Sequence, residues 1–215
     1  MKQYFVKSIN KQELKLDGTG NHALWDQANV LTDFSSPWDT SDVKKIEFKA
    51  LYNETHLLVC FKVFDEAVYL DLKGDNWQNI ANSDRVELFF RKDENLSPYY
   101  CLEIDPSPRV LDFIAYPNRN FDYSWRWPDK HLLVKSNIEQ AYFAVEKAIS
   151  LESLKQLGLL KSGKLEVGVY RAKYNKSTLG LMEPTWITWV NPNTETPNFH
   201  VASSFGEFIL EDLII

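Results

Sequence analysis

The sequence has few of the side chains that most often serve nucleophilic or metal-dependent catalysis. Its 215 residues include two cysteines and four histidines. Cys60 and Cys101 lie in the apolar runs LLVCFKV and YYCLEI, and free cysteine is among the residue types most often buried. We therefore expect two buried thiols, because neither run offers a group that would lower a thiol pKa. The histidines form no HxH or HxxxH pattern, so a histidine zinc site has no support.

An excess of positive charge is also missing. The chain has 24 Lys and Arg against 30 Asp and Glu, a net charge of −6, which argues against a nucleic acid or an anionic membrane as partner. No apolar run reaches the length of a membrane span, and GxSxG, P-loop and dinucleotide-binding motifs are absent. The start, MKQYFVKSIN, lacks the apolar region of a signal peptide. As written, the chain is predicted to be cytoplasmic, or secreted or periplasmic if a leader was removed.

What the sequence does have is repeated alternation of apolar and polar residues. Every second residue is apolar in THLLVCFKVFD, SDRVELFFRKD, YYCLEID and LEVGVYRAKY, which is typical of strands with one buried face. The predicted inward residues are Leu57, Val59, Phe61, Val63, Val86, Leu88, Phe90, Tyr100, Leu102, Ile104, Leu165, Val167 and Val169. The leucine spacing of ISLESLKQLGLL, between Ser150 and Gly158, predicts one short helix. The pattern favours a single all-β domain over residues 1–215, an antiparallel β-sandwich of the immunoglobulin or jelly-roll kind with long aromatic loops.

Seven tryptophans are present, and their positions suggest a sugar ligand. Trp77 lies in the polar loop KGDNWQNIANSD, where a large ring is either pinned to the body or exposed for a partner. Trp186 and Trp189 of PTWITWV fall on opposite faces of a regular strand, so one of them is expected in the core and one at the surface or a site. An indole face packs on the C–H bonds of a pyranose while polar side chains bind the hydroxyls at its rim.

Carboxylates offer a second kind of chemistry. Glu87 and Glu103 lie on the polar faces of predicted strands, and pairing of those strands would bring the two together. They then form either the acid and base of a glycosidase or ion pairs with neighbouring arginines. Asp65 and Asp84 lie in oxygen-rich loops and are candidate calcium ligands, although no EF-hand spacing is present. His200, in PNFHVASSFGE, either binds a hydroxyl or holds the last loop in place.

The order of motifs resembles family-9 carbohydrate-binding modules, in the variant often described as DOMON-like. The similar segments span nearly the whole chain: LDGTGNHALWDQA, FKALYNETHLLVCFKVFD, NSDRVELFF, AYFAVEKAISLESL, LEVGVYRAKY and PNFHVASSFGEFIL. The resemblance implies a β-sandwich that binds sugars, is often attached to xylan-degrading enzymes, and contains structural calcium. It also implies that two tryptophans sandwich a sugar, often at a chain end. Trp77 matches one wall and Trp189, with Trp186 as the alternative, matches the other, while Arg85 and Glu87 lie where polar contacts are expected.

One segment departs from the resemblance. The stretch CLEIDPSPRVLDFIAYPNRNFDYSWRWP is richer than the minimal module and would allow a different pocket around Arg126, Arg171 and Trp127. Within FDYSWRWP, Trp125 and Trp127 alternate with Arg126. Either both indoles pack inward while Arg126 holds a carboxylate outside, or Arg126 points into a site that the rings support.

Three hypotheses follow for the function. The first is a non-catalytic protein that binds plant-type polysaccharide fragments or sugar chain ends, with a glycoside hydrolase as a partner. The second is a xylanase-like glycoside hydrolase, or its accessory subunit, that uses Glu87 and Glu103. The third is a structural or protein-interaction sandwich whose aromatic residues are all core.

Overall fold

The computed structural model describes residues 1–40 and 42–213. Within these ranges the chain forms thirteen strands and two short α-helices. In chain order they are β1 (Gln3–Ser8), β2 (Val30–Leu31), β3 (Ile46–Tyr52), β4 (His56–Val63), α1 (Trp77–Ala81), β5 (Arg85–Arg91), β6 (Tyr99–Ile104), β7 (Val110–Tyr116), β8 (Asn120–Asp122), β9 (Leu132–Ile138), β10 (Phe143–Ser150), α2 (Leu151–Gln156), β11 (Lys164–Lys176), β12 (Met182–Thr188) and β13 (Gly206–Leu210).

The strands make two layers that share β1. The front sheet has the order β8-β7-β6-β5-β11-β13-β1, and β12 pairs with the second half of β11. The back sheet has the order β1-β3-β4-β10-β9, and β2 pairs with β3. Most neighbours are antiparallel, but β1 runs parallel to both β13 and β3. The predicted all-β sandwich is therefore confirmed, with mixed rather than purely antiparallel pairing.

The main core lies between the two sheets. Every residue predicted to point inward from the alternating patterns belongs to this core, from Leu57 on β4 to Val169 on β11. The opposite faces of the same strands carry the alternate residues, because side chains of a strand point to opposite sides in turn. These outward-facing residues are covered differently on the two sheets, and the difference decides where a site can form.

The outer face of the back sheet is closed by the N-terminal segment. Trp25 is buried there, and its Nε1 donates a 2.7 Å hydrogen bond to Glu146 Oε1. Glu146 Oε2 accepts from the backbone N–H groups of Gly18 at 2.5 Å and Asp17 at 3.0 Å. A Cβ at Gly18 would meet the backbone of Ser136, and the φ of Gly18 is 87°, so this close approach requires glycine.

The outer face of the front sheet is covered by loops rather than by one segment. Its aromatic cluster is centred on Phe89, Tyr99 and Tyr170, and the loop residues Phe199 and Phe205 pack onto it. The ring of Phe199 stacks on that of Tyr170 with centroids 4.1 Å apart. The cover is incomplete, and the gap that remains is the cleft described below.

Both helices begin at a side-chain cap, but only α2 was predicted from the sequence. The predicted α2 starts where the Ser150 side chain accepts a hydrogen bond from the N–H of Ser153, and Gly158 follows it with a φ of 70°. The other helix, α1, falls in the segment that the sequence indicated as a polar loop, and the Asn76 side chain caps it by accepting from Asn79 N–H. A single turn of helix has too few residues for an apolar period to be visible. Among the described residues, no helix has the length and apolar character needed to cross a bilayer.

Both cysteines are buried and free, as predicted. Cys101 belongs to the cluster outside the front sheet and Cys60 to the one outside the back sheet, so the main core separates them.

Candidate functional site

A cleft of about 270 Å³ opens on the outer face of the front sheet. Its floor comes from β5, β6, β7 and β11, and one wall from β12. The rim comes from the end of α1 and from the two loops around residues 119–123 and 197–200. The lining residues are Ala81, Asn82, Arg85, Glu87, Glu103, Leu111, Phe113, Arg119, Phe121, Tyr123, Tyr174, Trp186, Pro197, Asn198, Phe199 and His200.

The floor of the cleft is a buried group of one arginine and two glutamates. Glu87 and Glu103 are directly opposite each other on β5 and β6, as the sequence predicted for paired strands. Arg85 Nε lies 2.9 Å from Glu87 Oε1 and 2.6 Å from Glu103 Oε2. Glu87 is 1% exposed, and its Oε1 makes no hydrogen bond of good geometry with the described residues. An acceptor in this state can bind a hydroxyl group that enters the cleft.

Burial and the nearby negative charge of Glu103 raise the pKa of Glu87 to about 8, although Arg85 opposes the shift. The raised pKa favours the protonated form of Glu87 near neutral pH. The physical cause is that two carboxylates in one buried site share a single guanidinium, so ionisation of both is costly. The floor can thus offer a donor as well as acceptors to a ligand.

The aromatic walls of the cleft are Trp186 and Tyr123. Trp186 pairs with Ala172 of β11 and points outward, with the Arg85 guanidinium carbon 5.5 Å from its ring centroid. Tyr123, which also lines the cleft, stacks on Trp77 with centroids 4.4 Å apart and planes at 9°. Trp77 is 40% exposed and does not line the cleft, so it supports Tyr123 from the outer side.

Helix α1 is held to the floor through one carbonyl group. The Ala81 backbone oxygen accepts hydrogen bonds from Arg85 Nη1 at 2.6 Å and from the Tyr174 hydroxyl at 2.7 Å. Because α1 carries Trp77, these two bonds fix the position of the Trp77–Tyr123 pair relative to the floor.

His200 closes the far side of the cleft. Its Nδ1 lies 2.8 Å from the Tyr99 hydroxyl, and its ring stacks on Phe89 with centroids 5.1 Å apart. Burial, with the positive charges of Arg119 and Arg85, lowers the pKa of His200 to about 3. The imidazole is therefore neutral at physiological pH. Its backbone N–H donates to the Asn198 side chain, which brings the amide of Asn198 to the rim.

The structure corrects the choice between the two tryptophans of PTWITWV. Trp189, the preferred wall, is 2% exposed and packs against Phe208 in the main core. A Cβ at Gly206 would collide with the Trp189 ring, so glycine is what lets this indole lie against β13. The preference for Trp189 was wrong. The alternative, Trp186, is the indole that faces the cleft, and the expectation of opposite faces holds.

The loop FDYSWRWP folds in the first of the two ways that the sequence left open. Trp127 is buried in the main core and Trp125 packs at its edge, with their rings 5.8 Å apart. Arg126 lies outside, with its Nε 3.6 Å from Asp112 Oδ1. None of the three lines the cleft, and the burial of Trp127 speaks against a ligand contact by that residue. A ligand contact by Trp125 or Arg126 stays a prediction.

Arg171, another residue predicted to bind a ligand, does not line the cleft. It alternates with Tyr170 and Ala172 on β11, so its side chain points inward rather than into the cleft. Its Nη2 lies 2.5 Å from Asp65 Oδ2. A pocket shared by Arg126, Arg171 and Trp127 does not form among the described residues.

The two predicted calcium ligands are held by side-chain cations. Asp65 binds Arg171, and Asp84 Oδ2 lies 3.0 Å from Lys173 Nζ. Over residues 1–40 and 42–213, no three or more His, Cys, Asp or Glu side chains are grouped as a metal site requires. Asp65 and Asp84 therefore do not fit calcium, because the Oδ2 of each pairs with a side-chain cation and the Oδ1 of each accepts a backbone N–H, from Ala67 and Tyr174.

The geometry also does not favour the glycosidase alternative. The Arg85 guanidinium lies between Glu87 and Glu103, where the scissile bond would have to fit between an acid and a nucleophile or base. An arginine paired with both carboxylates weakens each as a nucleophile.

Sequence reasoning missed several residues that line the cleft. Tyr123, Asn198 and Arg119 lie in loops, and no periodicity relates them to Arg85 or Trp186. The only available signal was that their loops are unusually long and polar for a sandwich.

A β-sandwich with an aromatic-walled, hydrogen-bonding cleft on one sheet is typical of carbohydrate-binding modules. The family model "Carbohydrate family 9 binding domain-like" matches residues 16–213. The chain belongs to this family, as the motifs in its sequence indicated. No curated protein matches the chain significantly.

Solved structures confirm the fold. A Bacteroides uniformis protein provisionally described as carbohydrate-binding has a TM-score of 0.75 and 17% identity, covering 98% of this chain and 99% of its own. A family-9 carbohydrate-binding module from Caldicellulosiruptor kristjanssonii, in complex with glucose, has a TM-score of 0.59 and 16% identity, covering 99% of each chain. The same organism's family-9 module in complex with cellotriose has a TM-score of 0.59 and 17% identity, covering 100% and 98%.

Proposed function

We propose that the cleft binds one sugar ring, either a monosaccharide or the end of a polysaccharide chain. The observation that carries this proposal is the buried Oε1 of Glu87, which accepts no hydrogen bond of good geometry, in a cleft that Trp186 and Tyr123 also line. The aromatic faces provide stacking for the C–H surface of a pyranose, and Glu87, Asn198 and His200 provide polar contacts at its rim.

The size of the cleft supports a single ring. Its volume of about 270 Å³ lies just below the range of roughly 300–1,000 Å³ typical of small-molecule sites. The family-9 modules of similar fold bind glucose and cellotriose, which supports a neutral sugar unit as ligand. Plant polysaccharide fragments such as xylan pieces, and association with a glycoside hydrolase, remain parts of the proposal that rest on the family resemblance.

Isothermal titration with glucose and cellotriose tests the proposal. Wild-type protein is expected to bind with roughly micromolar affinity, about −8 kcal/mol. Trp186→Ala should weaken binding about 30-fold, or ~2 kcal/mol, because the stacking surface is lost. Trp77→Ala should have a smaller effect, since Trp77 acts through Tyr123.

Trp125→Ala is the matched control, because Trp125 is a partly buried tryptophan outside the cleft. It should leave the dissociation constant within twofold at a temperature where circular dichroism shows both variants folded. Equal affinities for wild type and Trp186→Ala would contradict the proposed location.

A further inference from the structure

Arg119 stands at the rim of the cleft in an unusual backbone conformation. The short 3-10 turn Pro117–Arg119 links β7 to β8, and Asn118 and Arg119 have φ angles of 63° and 58°. Two consecutive non-glycine residues in the left-handed region cost conformational energy and tend to be kept where a site needs them. This turn holds Arg119 among the residues that line the cleft.

Arg119 also differs from the other charged residues of the cleft in its partners. Arg85 is paired with both Glu87 and Glu103, so the floor is compensated internally. The exposed guanidinium of Arg119 makes no ion pair or hydrogen bond with the residues that the structure describes. Its charge is close to the cleft walls, since together with burial it lowers the pKa of His200. Although the chain carries a net charge of −6, the cleft therefore has at its rim one positive charge without an ion-pair partner among the described residues.

We propose that the cleft prefers an anionic sugar, a uronic acid at a chain end, whose carboxylate binds Arg119. This inference rests on the proposed sugar-binding function and names its substrate class. A guanidinium matches a carboxylate with two parallel hydrogen bonds. A uronate differs from a hexose only by a carboxylate in place of the hydroxymethyl group, so it fits the same small cleft. A sulfate or phosphate ester offers similar oxygens but adds several heavy atoms beyond the hydroxymethyl position.

The test compares four ligands by isothermal titration: glucose, glucuronate, the neutral methyl ester of glucuronate, and the bulkier anion glucose 6-sulfate. Wild-type protein should bind glucuronate at least tenfold more tightly than glucose or the methyl ester. The preference should shrink between about 0.05 and 0.5 M salt, because ionic attraction at an exposed rim is screened. Arg119→Gln should remove the preference by weakening glucuronate binding much more than glucose binding, and Arg119→Lys should keep part of the preference.

Arg126→Gln is the matched control, since Arg126 is an exposed arginine whose carboxylate partner, Asp112, lies outside the cleft. It should leave the preference intact. Equal affinities for glucose and glucuronate, or a preference that survives Arg119→Gln, would overturn the inference while the sugar-binding function stands. Tighter binding of glucose 6-sulfate than of glucuronate would overturn the assignment to a carboxylate. Failure of all four ligands and of cellotriose to bind would overturn the proposed function as well.

Discussion

Each sheet of the sandwich carries a buried glutamate on its outer face, and the two differ in their partners. Glu146, on the back sheet, accepts hydrogen bonds from Trp25, Gly18 and Asp17, and the N-terminal segment covers it. Glu87, on the front sheet, lines the cleft and shares Arg85 with Glu103, and its buried Oε1 accepts no hydrogen bond of good geometry.

The difference separates a structural carboxylate from a candidate ligand contact. Burial alone does not distinguish them, since both glutamates are at most 1% exposed. A tryptophan nearby does not distinguish them either, because Trp25 and Trp186 lie close to the two sites. Hydrogen-bond satisfaction does distinguish them: Glu146 has all its partners within the chain, whereas Glu87 has capacity left for a ligand.

The largest expected effect comes from Glu146→Gln. The carboxylate now accepts hydrogen bonds at both oxygens, from Trp25 Nε1 at one and from the Gly18 and Asp17 N–H groups at the other. Glutamine replaces one of these oxygens with an NH2 group, which is a donor, so the buried N–H facing it loses its acceptor. We expect a loss of about 4 kcal/mol in the free energy of unfolding, since hydrogen bonds to a charged group contribute roughly 1.5–3 kcal/mol each. Urea denaturation measures it, with the exposed Glu152→Gln as control. A loss below about 1 kcal/mol would contradict the structural role assigned to Glu146.

Lys147, a buried lysine between the two sheets, is a third buried ionisable side chain to compare with Glu146 and Glu87. Lys147 is fully buried, its Nζ has no hydrogen-bond partner among the described residues, and it lies 4.8 Å from the centroid of Phe61. Burial lowers the pKa of Lys147 to about 7. Between about pH 7 and the ordinary lysine value, the unfolded chain binds a proton that the folded chain does not, so this group makes stability rise with pH in that window.

Lys147→Met should therefore stabilise the protein by about 2 kcal/mol at pH 6, where the buried lysine is charged, and by less at pH 9. Urea unfolding at the two pH values checks this, with the exposed Lys135→Met on neighbouring β9 as control. An unchanged or lower stability at pH 6 would mean that Lys147 has a partner that compensates its charge.

The smallest expected effect concerns the open glutamate. Glu87→Gln should weaken sugar binding about tenfold, or ~1.4 kcal/mol, at pH 9, and less at pH 6.5. The reason is that wild-type Glu87 ionises through its raised pKa of about 8 and becomes a stronger acceptor for a sugar hydroxyl. The same raised pKa makes folding stability fall as pH increases from about 4.5 to 8, because the folded chain holds a proton that the unfolded chain has lost.

Isothermal titrations with sugar between pH 6.5 and 9 should show a dissociation constant that depends on pH in the wild type but not in Glu87→Gln. The exposed Glu183→Gln, at the far end of β12, is the control and should follow the wild type. If the dissociation constant of Glu87→Gln depends on pH as in the wild type, another group controls that dependence. Glu87 would then be a structural residue, like Glu146, and not a ligand contact.

Much of the sandwich could be predicted because its signals are local. Alternation in THLLVCFKVFD and SDRVELFFRKD placed Phe61 and Phe90 in the core, and Ser150 marked the start of a helix. The pairing of Glu87 with Glu103 also followed, because β5 and β6 are consecutive strands joined by a short loop. The choice between Trp186 and Trp189 did not follow. A strand can present either tryptophan to the core. Only the register of β12, which pairs Trp186 with Ala172 of β11, sets which indole points outward.

The sequence by itself determined the class of fold, the inward face of each long strand and the membership of a sugar-binding family. These depend on periodicity and on motif order, which a single chain displays directly. Only the tertiary structure decided that Tyr123, Trp186 and Arg119 meet around Glu87, that Trp77 supports Tyr123, and that Arg171 lies inside. The physical reason is that loop positions and inter-strand register depend on contacts between residues far apart in the chain, which no local pattern encodes.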